Sequence, residues 1–268
     1  MRRSLKSRAV SDSAISPSEA AVAAEAAIPE PAIHLHPTAE LAERVLLPGD
    51  PGRALALAQA LLERPLMFNH NRGLWGYTGK ARDGLALTIQ ATGMGGPSAA
   101  IVLSELIALG ARQAIRVGTC GALAPGLALG QLVIAREAIC ADGTSRALLG
   151  ETPTRDGLPS RVTGDGALSD ALARNAPSAA DGTVVSVDLF YETQGTPRAA
   201  DHAEDALAVE MEAATLFALG HAESVPVACV LAVTDTFDAR GARTRIAHER
   251  LPEVAERLGT VALAALAS

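Results

Sequence analysis

RVLLPGDPGRA, residues 44–54, decides how this chain is read. A short apolar run, Arg44–Pro48, ends in Gly-Asp-Pro-Gly-Arg, and a segment of helical character, Pro51–Glu63, follows. This pattern predicts a strand that turns sharply into a helix. Gly49 lets the backbone come close to a neighbouring group. Asp50 stands where an N-cap belongs and Pro51 where a helix begins. The free N–H groups of such a helix start favour an anion, and Arg53 adds a two-pronged donor. An ordinary strand–helix turn with a surface arginine fits the same eleven residues, so the rest of the chain has to decide.

Outward from that turn the pattern repeats. Apolar strand-like runs fall at Leu85–Ala91, Ala114–Val117, Gln131–Ile139, Thr183–Val187 and Val225–Val233. Helical stretches are expected at Pro97–Leu109, Asp165–Arg174, Ala213–Gly220 and Ile246–Ala267, and residues 150–164 as a loop. Strands alternating with helices predict an α/β domain. In such sheets ligands sit beyond the carboxyl ends of strands. Polar and glycine-rich groups stand at those ends again and again: Thr92–Ser98, Gly118–Gly121, Asp188–Tyr191 and Thr234–Thr236.

Composition narrows the function classes. The 268 residues are 49% apolar and only 3% aromatic, so the core rests on Ala, Val, Leu and Ile. Asp and Glu number 30 against 23 Lys and Arg, a net charge of −7. This excess of acid argues against a general polyanion binder, and any anion must be held by a local arginine cluster. Only Lys6 and Lys80 among the basic residues are lysine. Cys120, Cys140 and Cys229 lie far apart in apolar settings and are expected as reduced, buried thiols of a cytoplasmic protein. No stretch approaches the ~18 apolar residues of a membrane span. Residues 1–32, basic and then rich in Ala, Ser and Pro, are expected to be a disordered arm preceding a single domain over 33–268.

Several side chains could carry chemistry, each with a plainer alternative. Arg116 follows an apolar run, so it should meet an anion, either a ligand or an internal carboxylate. Arg72, in NHNRGLWGYTG, reads most simply as a loop arginine. Glu210 and Glu212, in VEMEA, share one face if extended and could then accept from two neighbouring hydroxyls with Met211 packed on the sugar, or they could simply enrich a helix start in acid. Phe190 and Tyr191 offer a flat face to a ring or pack in the core. Asp235 ends ACVLAVTD; a carboxylate there could gain a raised pKa and act as an acid, or cap a helix. His34 and His36 have no third ligand at matching spacing, so no metal is expected. Neither a P-loop nor a nucleophile-elbow motif is present.

With GDPGR, NRGLWGYTG, ATGMGGPSAA, RVGTCGA, VDLFY, VEMEA and VTD in this order, the chain from about His34 onward resembles the nucleoside phosphorylase family that contains hexameric purine nucleoside phosphorylases and uridine phosphorylases. The resemblance implies one α/β domain around a mixed, partly closed sheet flanked by helices. It assigns Gly49, Arg53, Arg116 and Thr119 to a phosphate site that a neighbouring subunit completes with Arg72. Met94, Glu210, Met211 and Glu212 would meet the ribose, with His34 from the neighbour. Cys120, Gly121, Phe190, Gln194 and Val209 would meet the base, and Asp235 would protonate it. Inorganic phosphate is then a co-substrate and no cofactor is implied. The expected partners are a nucleoside and phosphate, with neither nucleic acid nor membrane, in a homo-oligomer built of dimers, expected as a hexamer, with shared active sites.

The base is the finer question. Asp235 matches the purine branch. Gln194 matches a pyrimidine-branch glutamine, but Thr196 stands where that branch has arginine, and Arg198 comes two residues late. Purine enzymes also carry an arginine a little over three turns after the aspartate; the ungapped position here is His248, with Arg243, Arg245 and Arg250 as substitutes. The balance favours a purine nucleoside, with uridine as the alternative. A nucleosidase would lack the arginine of GDPGR, and a non-catalytic binding protein would have no need of every position being filled.

Overall fold

A computed structural model describes residues 32–151, 159–191, 205–238 and 242–267. The described part opens, after irregular residues 32–43, with β1 (Arg44–Leu47), α1 (Pro51–Leu61), β2 (Leu62–Asn69), β3 (Gly76–Ala81), β4 (Ala86–Gln90) and α2 (Gly96–Leu109). It continues through β5 (Gln113–Ala122), β6 (Leu132–Ala141), α3 (Gly143–Leu148), β7 (Arg161–Thr163), α4 (Gly166–Asn175) and β8 (Ala180–Val187). It ends with β9 (Ala208–Glu210), α5 (Ala213–Ala222), β10 (Val227–Phe237), β11 (Arg243–Arg245) and α6 (Leu251–Leu266).

All the strands belong to one mixed sheet in the order β11-β10-β6-β8-β9-β5-β1-β4-β3-β2, with β7 on β6. An additional pairing of β10 with β5 closes five of them, β10-β6-β8-β9-β5, into a barrel. The α/β class and the partly closed sheet are thus as expected. The strands read as unbroken apolar runs because both sheet faces are covered. Leu46, Ile115 and Val230 face the layer of α1, α4 and α6, while their neighbours Val45, Leu47, Ala114, Cys229 and Leu231 face α2 and α5. Small residues let these layers come close. A Cβ on Gly259 of α6 would meet Leu57 of α1 at 2.4 Å, and one on Gly220 of α5 would meet Val227 at 2.7 Å. All three cysteines are buried and unpaired. No helix among the described residues is long and apolar enough to cross a membrane.

The opening turn has the expected local form. Asp50 is extended (φ −96°, ψ 130°) and its carboxylate accepts from the Arg53 N–H at 2.7 Å, with Pro51 first in the helix. Elsewhere the pattern misleads. The expected helix to Glu63 stops at Leu61, because Leu62–Asn69 pairs with β3, with register shifts around Arg64 (φ 47°) and Pro65. The loop expected at 150–164 contains β7, and residues 152–158 lie outside the described part. β5 does not stop at Val117 but runs on to Ala122, since β10 and β9 both pair with the added residues. The last helix starts at Leu251, five residues later than expected.

Near the far end of β1, the Arg44 guanidinium is buried and grips Asp83 at 2.6 and 3.1 Å. Hydrogen bonding from Arg44 chiefly, against the opposing effect of burial, holds the Asp83 carboxyl below its ordinary pKa. A carboxyl depressed in the fold stabilises at pH above its unfolded pKa of ~4 and loses that contribution as pH falls through the folded value. Asp83→Asn should therefore lower the melting temperature at pH 7 by about 2–4 °C. The gap to wild type should narrow below about pH 4; an unchanged gap at pH 3 would contradict this account.

Candidate active site

β5 and β10 extend beyond the end of β1, which pairs with β5 only as far as Leu47 opposite Arg116. β8 and β9 run against β5 and reach the same level from the other side, with Ser186 beside Glu210 and Val209 opposite Gly121. Strand ends therefore meet around the middle of β5, and there the chain leaves a cavity of about 600 Å³. Its size suits a small ligand. Its lining holds one cluster about Arg116, with Arg53, Glu210 and Glu212, and a second about Asp235, with Arg243 and Phe190; Gly49, Met94, Thr119, Cys120, Gly121, Val209 and Met211 line it too. Four arginines and four carboxylates lie along its described walls: Arg53, Arg116, Arg243 and Arg245 against Asp50, Glu210, Glu212 and Asp235.

Arg116 is the centre of the first cluster. It is 4% exposed. Its Nε donates to Glu210 at 3.0 Å and its Nη2 pairs with Glu212. Its Nη1 is buried and meets no hydrogen-bond partner among the described residues. Burial works against the charge, but Glu212 and Glu210 outweigh it and keep the guanidinium firmly protonated. Room for the folded-back guanidinium depends on Gly118, where a Cβ would sit 2.9 Å from the Arg116 Cζ and 2.8 Å from Leu231. Arg53 is its neighbour. Burial pushes the pKa of Arg53 down, Asp50 opposes, and the positive charge of Arg116 pushes down again. Two guanidinium groups that line one cavity and feel each other's charge are relieved by an anion between them. Gly49 owes its presence partly to packing, as a Cβ there would crowd the Gly93 carbonyl at 3.2 Å.

The two glutamates do not share a strand face, contrary to the extended reading. β9 ends at Glu210, and Glu212 is already the residue capping α5 (φ −140°, ψ −19°). They reach Arg116 from a strand end and a helix start. Glu210 accepts from the Ser186 hydroxyl, from the Glu212 N–H at 2.9 Å and from the Ala213 N–H at 3.0 Å. Its oxygens are spent on the protein, at the positive end of α5. Burial, with Arg116 opposing and Glu212 reinforcing, raises its pKa. Glu212 accepts from the Gly95 N–H at 2.5 Å, where Gly95 (φ 85°) begins α2. Sequence reasoning missed Ser186, Gly95 and Gly118. A lone serine in VVSVD, and a glycine two residues after a strand arginine, were the available signals.

In the second cluster Phe190 is half exposed. Tyr191 packs edge-on at 5.0 Å, and the Arg243 guanidinium lies 4.8 Å over the Phe190 ring. Asp235 is 5% exposed. Its Oδ1 accepts from Arg243 Nε at 2.7 Å, with Arg245 at 3.9 Å, and its Oδ2 accepts from the Thr234 hydroxyl at 2.8 Å. Of the candidate basic partners, the hairpin β10–β11 brings Arg243 and Arg245 to Asp235. His248 falls in the short turn after β11, and Arg250 lines a separate cavity beside α6. Gln194, with Thr196 and Arg198, lies outside the described residues. Arg72 and His34 are not on the lining of this chain's cavity.

A family model described as the phosphorylase superfamily matches residues 43–267. The chain is 36% identical over 203 residues to a purine nucleoside phosphorylase DeoD-type of Geobacillus kaustophilus (strain HTA426), covering 74% of this chain and 83% of that protein. Proteins of the same printed name from Clostridium novyi (strain NT) and Alkaliphilus metalliredigens (strain QYMF) are each 34% identical. Those matches cover 74% and 76% of this chain, and 84% and 87% of the relatives.

Proposed function

The chain belongs to the phosphorylase superfamily, and from that membership we propose that it cleaves purine nucleosides with inorganic phosphate, giving the free base and (deoxy)ribose 1-phosphate. The observation that carries this reading is the buried, unpartnered Nη1 of Arg116 beside the Arg53 guanidinium. A buried donor without an acceptor is costly, and a phosphate oxygen removes the cost. The kinship to three proteins named as purine nucleoside phosphorylases supports the purine base.

Phosphate sits between Arg53, Arg116, the Thr119 hydroxyl and Gly49. The sugar lies over Met94 and Met211 with its hydroxyls on Glu212. Glu210, spent on Arg116 and α5, shapes this wall rather than gripping the sugar. The base stacks on Phe190 between Val209, Cys120 and Gly121. A phosphate oxygen attacks C1′ while the bond from C1′ to the base nitrogen breaks and its electron pair passes to the base. Positive charge grows on the sugar and is met by phosphate and Glu212. Asp235 meets the charge growing on the base, by a proton or a hydrogen bond. Holding the nucleophile in line is the main work of the arginines. No cofactor takes part. His34 and Arg72 serve the cavity of a second copy, so the working form is a homo-oligomer built of dimers. Three buried free thiols suit a reducing, cytoplasmic setting.

The test is base release from inosine, adenosine and uridine, each with and without phosphate. Phosphate-dependent release from a purine nucleoside is the expected result. Release from uridine alone would move the chain to the pyrimidine branch, and release without phosphate would make it a hydrolase.

A further inference from the structure

Residues 32–43, before β1, have no regular secondary structure, yet a buried side chain gathers three successive amides of theirs. Glu105, on α2, accepts from the N–H groups of Ile33 at 3.2 Å, His34 at 3.0 Å and Leu35 at 2.7 Å, and meets the His34 ring Nδ1 at 2.6 Å. It stands on a helix face otherwise given to Val102, Leu103 and Leu106. A buried carboxylate on an apolar face is expensive unless saturated, and here all of its accepting capacity goes to one short stretch. Burial works to raise its pKa, but the bonds from the His34 ring and from the Leu35 and His34 amides prevail and hold it low. An ionised carboxylate only accepts, so Nδ1 donates a proton in this bond.

The same stretch is clipped to the turn that carries Arg72. The Asn71 side chain donates to the His34 carbonyl at 3.0 Å. Fully buried Asn69 accepts from the His36 N–H at 2.9 Å and donates to the Leu74 carbonyl at 2.6 Å. Arg72 itself is left-handed (φ 57°), a conformation that a non-glycine residue keeps only when its surroundings insist. His34 and Arg72, 38 positions apart in sequence, are thus one plate fixed to α2.

We propose that Glu105 is a positioning residue that acts across the subunit boundary, setting the His34–Arg72 plate that completes the active site of a second copy. This rests on the shared-site reading above. Glu105→Gln keeps the size but loses half of the acceptors and puts an N–H₂ among donors. In the homo-oligomer it should lower kcat/KM by about 10- to 100-fold, as misplacement of a positioning group does.

The decisive experiment uses assemblies of two differently tagged chains, purified for both tags, with turnover of inosine and phosphate as readout. Arg53→Ala damages a chain's own site, and Arg72→Ala damages the site it completes. Mixed together, these two should regain activity well above either alone. Arg53→Ala mixed with Glu105→Gln should regain activity to the same degree, whereas Arg72→Ala mixed with Glu105→Gln should not. If the first pair fails, the shared-site reading itself falls. If the first pair succeeds and Glu105→Gln behaves otherwise, or if its homo-oligomer has wild-type activity, the positioning role is overturned. Should Glu105→Gln fail to assemble, Asn71→Ser, which removes only the clip between His34 and the Arg72 turn, goes through the same pairs with the same expectations.

Discussion

Arg116→Ala should lower kcat/KM for phosphate by about a thousandfold or more. Loss of one preorganised donor aimed at developing charge costs about 10²–10³ in rate, and this residue also carries one of the two charges at the phosphate site. The same change strands Glu210 and Glu212 without their cation. Breaking a buried pair from one side costs about 3–5 kcal/mol, so the melting temperature should fall too. Arg116→Lys separates the two effects. It keeps a charge for the glutamates but loses the fork and the free Nη1. Its fold should survive, while KM for phosphate rises. Steady-state kinetics at varied phosphate, with thermal melts of both variants, check this. Wild-type activity of Arg116→Ala at low phosphate would refute the phosphate assignment.

Asp235→Asn should cost about 10²–10³-fold in kcat on inosine and adenosine, the range of a lost general acid. KM for phosphate should barely change, because the described bonds of Asp235 run to Arg243 and Thr234 and not to Arg53 or Arg116. The loss should depend on the leaving group. An N7-methylated purine nucleoside carries its positive charge already and departs as a neutral base, so its cleavage should be far less sensitive. Arg243→Ala should give a smaller loss on the ordinary substrates, since it removes the support at 2.7 Å and the stacked cation but leaves the carboxylate in place. Equal losses on methylated and unmethylated substrates would mean that Asp235 shapes the pocket and does not meet the leaving base.

How much of this was legible in the sequence differs by element. The Asp50–Pro51 helix start was, because capping is local: its partners are three residues apart. The strands buried on both faces were, because unbroken apolar runs have few other uses. The convergence of Arg116 with two glutamates was only half legible. The residue types were right, but extended geometry put Glu210 and Glu212 on one face, whereas the chain turns into α5 between them. The true length of β5 was not legible, as it is set by pairing with β10 more than a hundred residues away. β2 was hidden because Leu62–Asn69 has no strand pattern of its own and is held by β3. The choice of Arg243 over His248 or Arg250 came from hairpin register, which spacing along a presumed helix could not supply.

The even match of four arginines and four carboxylates on the described cavity walls has a consequence for the single chain. The described walls of a single chain offer an incoming oxyanion no net surplus of positive charge. A single chain is therefore expected to be a weak trap for phosphate, sulfate or nucleotides. On the proposed shared site the surplus would arrive with the arginine lent by a second copy, and competence to turn over substrate would rise with protomer concentration as association does. Unassembled chains would then stay silent until they met a second copy.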